Sequence, residues 1–210
     1  MTSEKIKLLC DSYYDEVVSL RHQFHMYPEL GHEEVETSRI VAETLKKLNF
    51  EVTENVEKTG VVALLKGKYP GKTLMLRADM DALPIQENTE IAYASKIKGK
   101  MHACGHDGHT ANLLGVAMIL NQMREEIHGT VKFVFQPDEE YDSGAKAMVE
   151  LGILENPNVD AAFGLHFWGS VPEGAVHIKG GAFMAAPDKF VFKVIGKGGH
   201  AATPHLCVDP

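Results

Sequence analysis

The stretch MHACGHDGHT at residues 101–110 gathers three histidines, a cysteine and an aspartate into ten positions, with no lysine or arginine among them. Imidazole, thiolate and carboxylate together are the donor set for zinc or a similar divalent ion. A pair spaced as Cys104 and His106 can point two donors at one ion from an extended loop. Downstream, FQPDEE carries the adjacent acids Glu139 and Glu140. Neighbours on an extended segment face opposite ways, so one can coordinate a metal while the other faces the substrate water. Metal coordination lowers the pKa of a water to about 7, and a nearby carboxylate can take its proton and pass it to a leaving amine. The chemistry these residues describe is metal-assisted hydrolysis.

The elements that would position them follow from periodicity. Val17, Leu20 and Phe24 recur at helical spacing up to Pro28. A second helix is expected from about Glu33, with Ile40, Val41, Thr44, Leu45 and Leu48 on one face and Asn49 as its stop. VVALLKG (61–67) and TLMLRAD (73–79) read as strands joined by the turn YPGK. An amphipathic helix is expected from Thr110 to about Ile127, a strand over TVKFVFQ (130–136), a short helix over Ser143–Leu151 and a strand over AAFGLHF (161–167). Strands separated by helices imply an α/β fold, with a largely parallel sheet covered by helices on both faces. A boundary is expected near Gly181–Ala186, dividing a catalytic part, 1–182, from the beginning of a second domain, 183–210, which opens with a strand. In open α/β sheets ligands bind beyond the carboxyl ends of the strands. Asp79 and Asp81 lie at the end of one expected strand, Glu139 and Glu140 follow another, and His166 closes a third. The 101–110 turn precedes a helix and reaches the same rim.

Composition limits the partners. The 210 residues carry a formal charge of −8, and their basic residues are scattered, which argues against nucleic acid. The longest apolar stretches are strand-sized, so no membrane span is expected. The opening MTSEKIKLLCDSYYDE turns acidic too early for a signal peptide. Cys10, Cys104 and Cys207 are odd in number and widely spaced, which fits a reducing cytoplasmic setting.

Each candidate taken singly has a plainer explanation. Cys104 could be a small buried apolar side chain, His166 a satisfied core imidazole, the acid pair a solvated surface and Asp107 a helix cap. Their shared placement at strand ends weighs against those explanations jointly. His22, His25, His32, His128 and His177 lack such placement and are read as structural. His102 and His109 stay open as groups that orient the donors.

The stretches RHQFHMYPELGHEE, LRADMDALPIQE, MHACGHDGHT, FQPDEE, GLHFWGSVPEG and GKGGHAATPH together resemble the aminoacylase/carboxypeptidase family of dinuclear metallohydrolases. Within it they look closest to the amidohydrolase branch that contains hippurate hydrolases and plant auxin-conjugate hydrolases. The resemblance implies a catalytic domain of zinc-exopeptidase type holding two divalent ions (zinc, manganese or cobalt). It implies Cys104, His106, Glu140 and His166 as metal ligands, with the Cys104 thiolate bridging the ions. Glu139 resembles the general base, and Asp81 the acid that supports the site. Many relatives carry a histidine ligand at the position of Asp79, a duty His106 takes over here. His200 resembles a lid histidine that reaches into a partner subunit's site and stabilises an oxyanion, so the family implies a homodimer paired through the lid. Spacing alone leaves His200 open as a turn histidine.

Two departures stand out. Relatives show FQPAEE, where this chain has Asp138, whose charge would raise the base's pKa if it faced Glu139. Family members also continue through the rest of the lid and return to supply a further histidine ligand. The expected activity is hydrolysis of an N-acyl amino acid. An N-acetyl-diaminopimelate deacetylase or dipeptidase of the same family is the alternative, as is an incomplete fragment limited to metal binding or subunit pairing.

Overall fold

The computed structural model describes residues 3–141, 144–185 and 190–210. They fall into two compact units that divide between Trp168 and Gly169. Ser143 and Ala186, the expected first residue of a helix and edge of a domain boundary, lie outside the described residues.

The first unit is a five-stranded sheet with helices. Its strands are β1 (Glu51–Val56), β2 (Gly60–Lys66), β3 (Tyr69–Asp79), β4 (His128–Gln136) and β5 (Ala161–Gly164). Their order is β1-β2-β4-β3-β5. β3 runs parallel to both β4 and β5, whereas β2 is antiparallel to β4 and to β1. The parallel half of the sheet therefore carries Asp79, the PDEE turn and His166 to one rim.

Helices α1 (Ser3–Met26), α2 (Val35–Lys47) and α3 (His106–Gln122) cover one face, and the short α4 (Gly144–Glu150) lies on the other. Side-chain alternation makes this division. Val61, Ala63 and Leu65 of β2 and Val131, Phe133 and Phe135 of β4 meet Phe24, Val41, Leu45 and Leu114 of the helices. The intervening Val62 and Val134 pack on Met148 of α4. On that second face Lys132 is buried, and its ammonium donates to the carbonyls of Ile153, Glu155 and Pro157 at 2.9, 2.7 and 3.0 Å. This ties down the connection that leads to β5. Asp160 fixes the strand's start by accepting the Thr73 amide at 2.7 Å.

Several elements differ from the sequence expectation. YPGK is no turn between paired strands. It lies within β3, and β4 sits between β2 and β3. β1 was not expected, because EVTENV is polar and largely exposed at the sheet edge. β5 stops at Gly164, short of His166. In the second unit the expected strand is absent among the described residues, which show an isolated bridge between Lys197 and Val208 and one turn of 3-10 helix at Pro204–Leu206. Asn49 does end α2, taking the left-handed φ of +59° that follows a helix C-cap. Among the described residues no helix is long and apolar enough to cross a membrane.

Phe133 is fully buried between Phe50 and the helical layer. Phe133→Ala should lower unfolding stability by about 3–5 kcal/mol in urea titration, with an unchanged m-value. A loss under about 1 kcal/mol would show that this layer does not carry the core.

Candidate metal centre

α3 begins earlier than its apolar period indicates, and this changes how the 101–110 stretch presents its donors. Gly105 caps the helix at φ +90°, a conformation that favours glycine, and His106 is the first helical residue rather than part of an extended loop. The His106 ring is fully buried. Its Nδ1 faces Asp81, 2.9 Å from the backbone oxygen and 3.2 Å from Oδ1. With Nδ1 donating there, Nε2 is the nitrogen whose lone pair a cation could take in place of a proton. Nε2 has no hydrogen-bond partner and stands 3.7 Å from Asp79 Oδ2, 3.8 Å from Glu140 Oε1 and 3.9 Å from Glu139 Oε2. Glu140 Oε1 is likewise buried and unpartnered.

On the other side Cys104 Sγ lies 3.4 Å from His166 Nε2, while His166 Nδ1 is turned to the Phe167 carbonyl at 2.5 Å. Cys104, His106 and His166 bring ligand atoms within 4.8 Å of one another, as do His106, Glu139 and Glu140. Donors at about 2.0–2.3 Å from one tetrahedral ion stand roughly 3.3–3.8 Å apart. The separations fit shared ions, and two buried donors without partners fit a group that a cation would satisfy. The structure thus brings together Cys104, His106, Glu139, Glu140, His166 and Asp81. His200 belongs to the second unit, where its Nδ1 accepts the Ala202 amide at 3.1 Å.

Asp79, His106 and His109 form a third such group, but both His109 nitrogens are occupied. Nδ1 bonds Asp79 Oδ1 at 2.6 Å, and Nε2 accepts the Phe167 amide at 2.9 Å. His109 is therefore a brace between α3, β3 and the His166 segment. His25, read from sequence as structural, grips Asp107 Oδ2 at 2.9 Å and Glu87 Oε1 at 3.3 Å, with Arg21 Nε also 3.2 Å from Asp107. Asp107 thus supports the start of α3 from inside the protein rather than capping it. His102 is buried with neither nitrogen partnered, and burial pushes its pKa down to about 4. No spacing signal in the sequence marked Arg77, which donates to Asp79 Oδ2 at 2.6 Å.

The electrostatics separate supporting acids from donors. Burial disfavours the Asp79 carboxylate, yet the bond from His109 and the charges of Arg77 and His106 hold it well below the usual range. Asp81 is also burdened by burial but lowered on balance by His106 and by the backbone N–H groups of Glu140 and Glu139. Burial would lower His106, but Asp81 and the surrounding carboxylates carry it up to about 8. Glu139 is raised by burial and by the charge of Asp79. Asp138 is not the cause: it is buried, 3.7 Å from His32, with its amide held by Glu34 at 2.9 Å. The Cys104 thiol is pushed up to about 12 by burial first and then by Glu140.

An α/β sheet whose carboxyl rim gathers thiol, imidazole and carboxylate donors defines a candidate divalent-metal centre. The chain belongs to Peptidase family M20/M25/M40, whose model matches residues 75–207. It is 46% identical over 210 residues to the N-acyl-L-amino acid amidohydrolase of Geobacillus stearothermophilus, covering 100% of this chain and 56% of that protein. It is 47% identical over 210 residues to thermostable carboxypeptidase 1 of Saccharolobus solfataricus, covering 99% and 53%. Among solved structures it resembles the YXEP protein of Bacillus subtilis, described as a dinuclear metal binding peptidase, with TM-score 0.73 and 44% identity over 77% of this chain and 45% of that one. The chain spans about half the length of these curated relatives.

In metal-free protein at pH 8, iodoacetamide should alkylate Cys104 at least about tenfold more slowly than the exposed Cys10, because the thiolate is the reactive form. The Cys104 rate should keep rising about tenfold per pH unit up to pH 10, as expected below a thiol pKa near 12. Peptide mass spectrometry measures both rates, and a Cys104 rate that levels off by pH 9 would contradict this electrostatic picture.

Proposed function

We propose that this chain carries the metal-binding half of an amidohydrolase that cleaves the amide bond of N-acyl amino acids. The observation that carries the reading is the pair of buried, unpartnered donors, His106 Nε2 and Glu140 Oε1, set 3.8 Å apart. They stand beside the 3.4 Å contact of Cys104 and His166. Cys104, His106, Glu140 and His166 would hold two divalent ions, with the soft thiolate favouring zinc and the oxygen donors also suiting manganese or cobalt. Ions held there supply the positive charge that acidifies a water and polarises the scissile carbonyl.

Glu139 is the general base. It is part-exposed at the rim, and its raised pKa places it closer to the range in which a carboxylate both accepts a proton and returns it. It would take a proton from water and give it to the departing amine nitrogen. Asp81 stays ionised, fixes the His106 tautomer and holds the Glu140 amide at 3.0 Å. His200 would stabilise the developing oxyanion in a partner subunit's site, supported by its match to the family's GKGGHAATPH motif. A cytoplasmic homodimer goes with that reading, and the three free cysteines agree with a reducing setting. The small-molecule substrate is either an N-acyl amino acid, as the Geobacillus relative's name indicates, or a peptide cleaved at its carboxyl end, as the Saccharolobus relative's name indicates.

The assay compares hippurate, an N-acetyl amino acid and a dipeptide on zinc-, manganese- and cobalt-loaded protein. Glu139→Gln should retain metal and lose about 10²–10⁴-fold in turnover, whereas Cys104→Ala should lose bound metal by mass spectrometry. Full turnover by Glu139→Gln would remove it as the base. Undiminished metal content in Cys104→Ala would remove the thiolate as a ligand.

A further inference from the structure

The segment PELGHEE, residues 28–34, gives no donor to the centre, yet the two acid-bearing loops are both attached to it. The Glu29 carbonyl accepts the Ala82 amide at 2.8 Å, and Leu30 bridges Ala82, which fixes the loop of Asp81. The Glu29 carboxylate accepts the amides of Glu36 and Thr37 at 3.0 and 2.8 Å, so the segment is anchored on the first turn of α2. Glu34 is fully buried. Its Oε1 accepts the Asp138 amide at 2.9 Å, and its Oε2 accepts the Thr59 hydroxyl at 2.7 Å. Asp138 itself has φ +50°, a left-handed conformation that a non-glycine residue keeps only when its surroundings impose it. Gly31 lies so close that a Cβ there would fall 2.0 Å from Asp138 Oδ1. Glu140 then closes the frame by donating its amide to Asp81 Oδ2 at 3.0 Å.

We propose that Glu34 is a positioning residue of the metal centre: by holding the Asp138 amide it sets the direction in which Glu139 and Glu140 leave β4. The proposal rests on the metal reading above. Geometry gives the reason. Two residues separate the held amide from the carboxylate of Glu140, so a shift of the turn moves that donor relative to His106 Nε2. A buried carboxylate that merely stabilised the fold would change melting without altering the ligand field of the folded protein. Glutamine keeps the length of the side chain and an amide oxygen for the Asp138 N–H, while its NH2 can donate to the Thr59 hydroxyl.

The test titrates Co²⁺ alone into the whole chain and follows the d–d and sulfur-to-cobalt absorption bands. Glu34→Ala, still folded by circular dichroism, should bind Co²⁺ about 10–100-fold more weakly and show altered d–d bands. Glu34→Gln should return to within about threefold of wild type, because its amide oxygen can still accept from Asp138. Should Glu34→Ala fail to fold, Thr59→Val releases one carboxylate oxygen and is expected to weaken binding about 3–10-fold. A folded Glu34→Ala or Thr59→Val with wild-type affinity and spectrum overturns the assignment, as does a Glu34→Gln protein as impaired as Glu34→Ala. Wild type that takes up no Co²⁺ overturns the metal centre itself, and this proposal with it. Normal uptake by wild type with unaffected variants overturns the role of Glu34 alone.

Discussion

An imidazole bonded through one nitrogen has a single lone pair left to offer, and at His106 the contact with Asp81 decides which one. The ring has little freedom to do otherwise. His106 is the first residue of α3, its backbone direction is set by Gly105, and its side chain is enclosed. Nε2 therefore points to one place, and the rest of the rim is arranged around that place. β3 ends at Asp79, β4 runs into Glu139 and Glu140, and the segment after β5 returns His166 to Cys104. The parallel pairing of β3 with β4 and β5 brings these endings side by side, as the crevice rule for open α/β sheets requires.

Crowding four carboxylates and a thiol around that ring creates a charge problem, and the protein answers it unevenly. Asp79 is compensated by Arg77 and His109, and Asp81 by His106 and two backbone N–H groups. Both stay ionised although buried. Glu139 and Cys104 receive no comparable compensation, and both are driven toward their protonated forms. The division matches a division of labour. Acids whose charge is already answered orient other residues, while groups whose charge is unanswered are those a cation would stabilise.

Much of this was legible in the sequence because it is local or tied to strand ends. MHACGHDGHT, FQPDEE and GLHF each announce their donors within a few positions, and the apolar runs of β2 and β4 place them. What was hidden depends on pairings between distant residues. His25 and Asp107 are 82 positions apart, and Glu34 and Asp138 are 104 apart, so no periodicity links them. His25 and His32 consequently read as isolated histidines. β4 inserts between two strands that are neighbours in the chain, a choice set by tertiary packing rather than by the turn residues of YPGK. The apolar repeat of α3 begins only at Thr110. The preceding turn is polar on account of its site, and this polarity hid helical residues that Gly105 and Asp107 support. Asp138 shows the opposite case. It is adjacent to Glu139 in the chain, but its left-handed backbone turns it toward His32.

The retention of donors without partners bears on why the rim is built this way. A buried polar atom lacking a hydrogen bond costs about 1–3 kcal/mol, a sizeable part of a domain's net stability. Here two such atoms, His106 Nε2 and Glu140 Oε1, are held close together rather than relaxed toward solvent or each other. The supports that hold them there, from Asp81 to the Glu140 amide and from Glu34 to a strained Asp138, are themselves buried and well bonded. A fold optimised for stability alone would relax the turn and satisfy both atoms. Rigid supports around unsatisfied donors are the arrangement expected where binding energy for a cation offsets the cost of keeping its site formed.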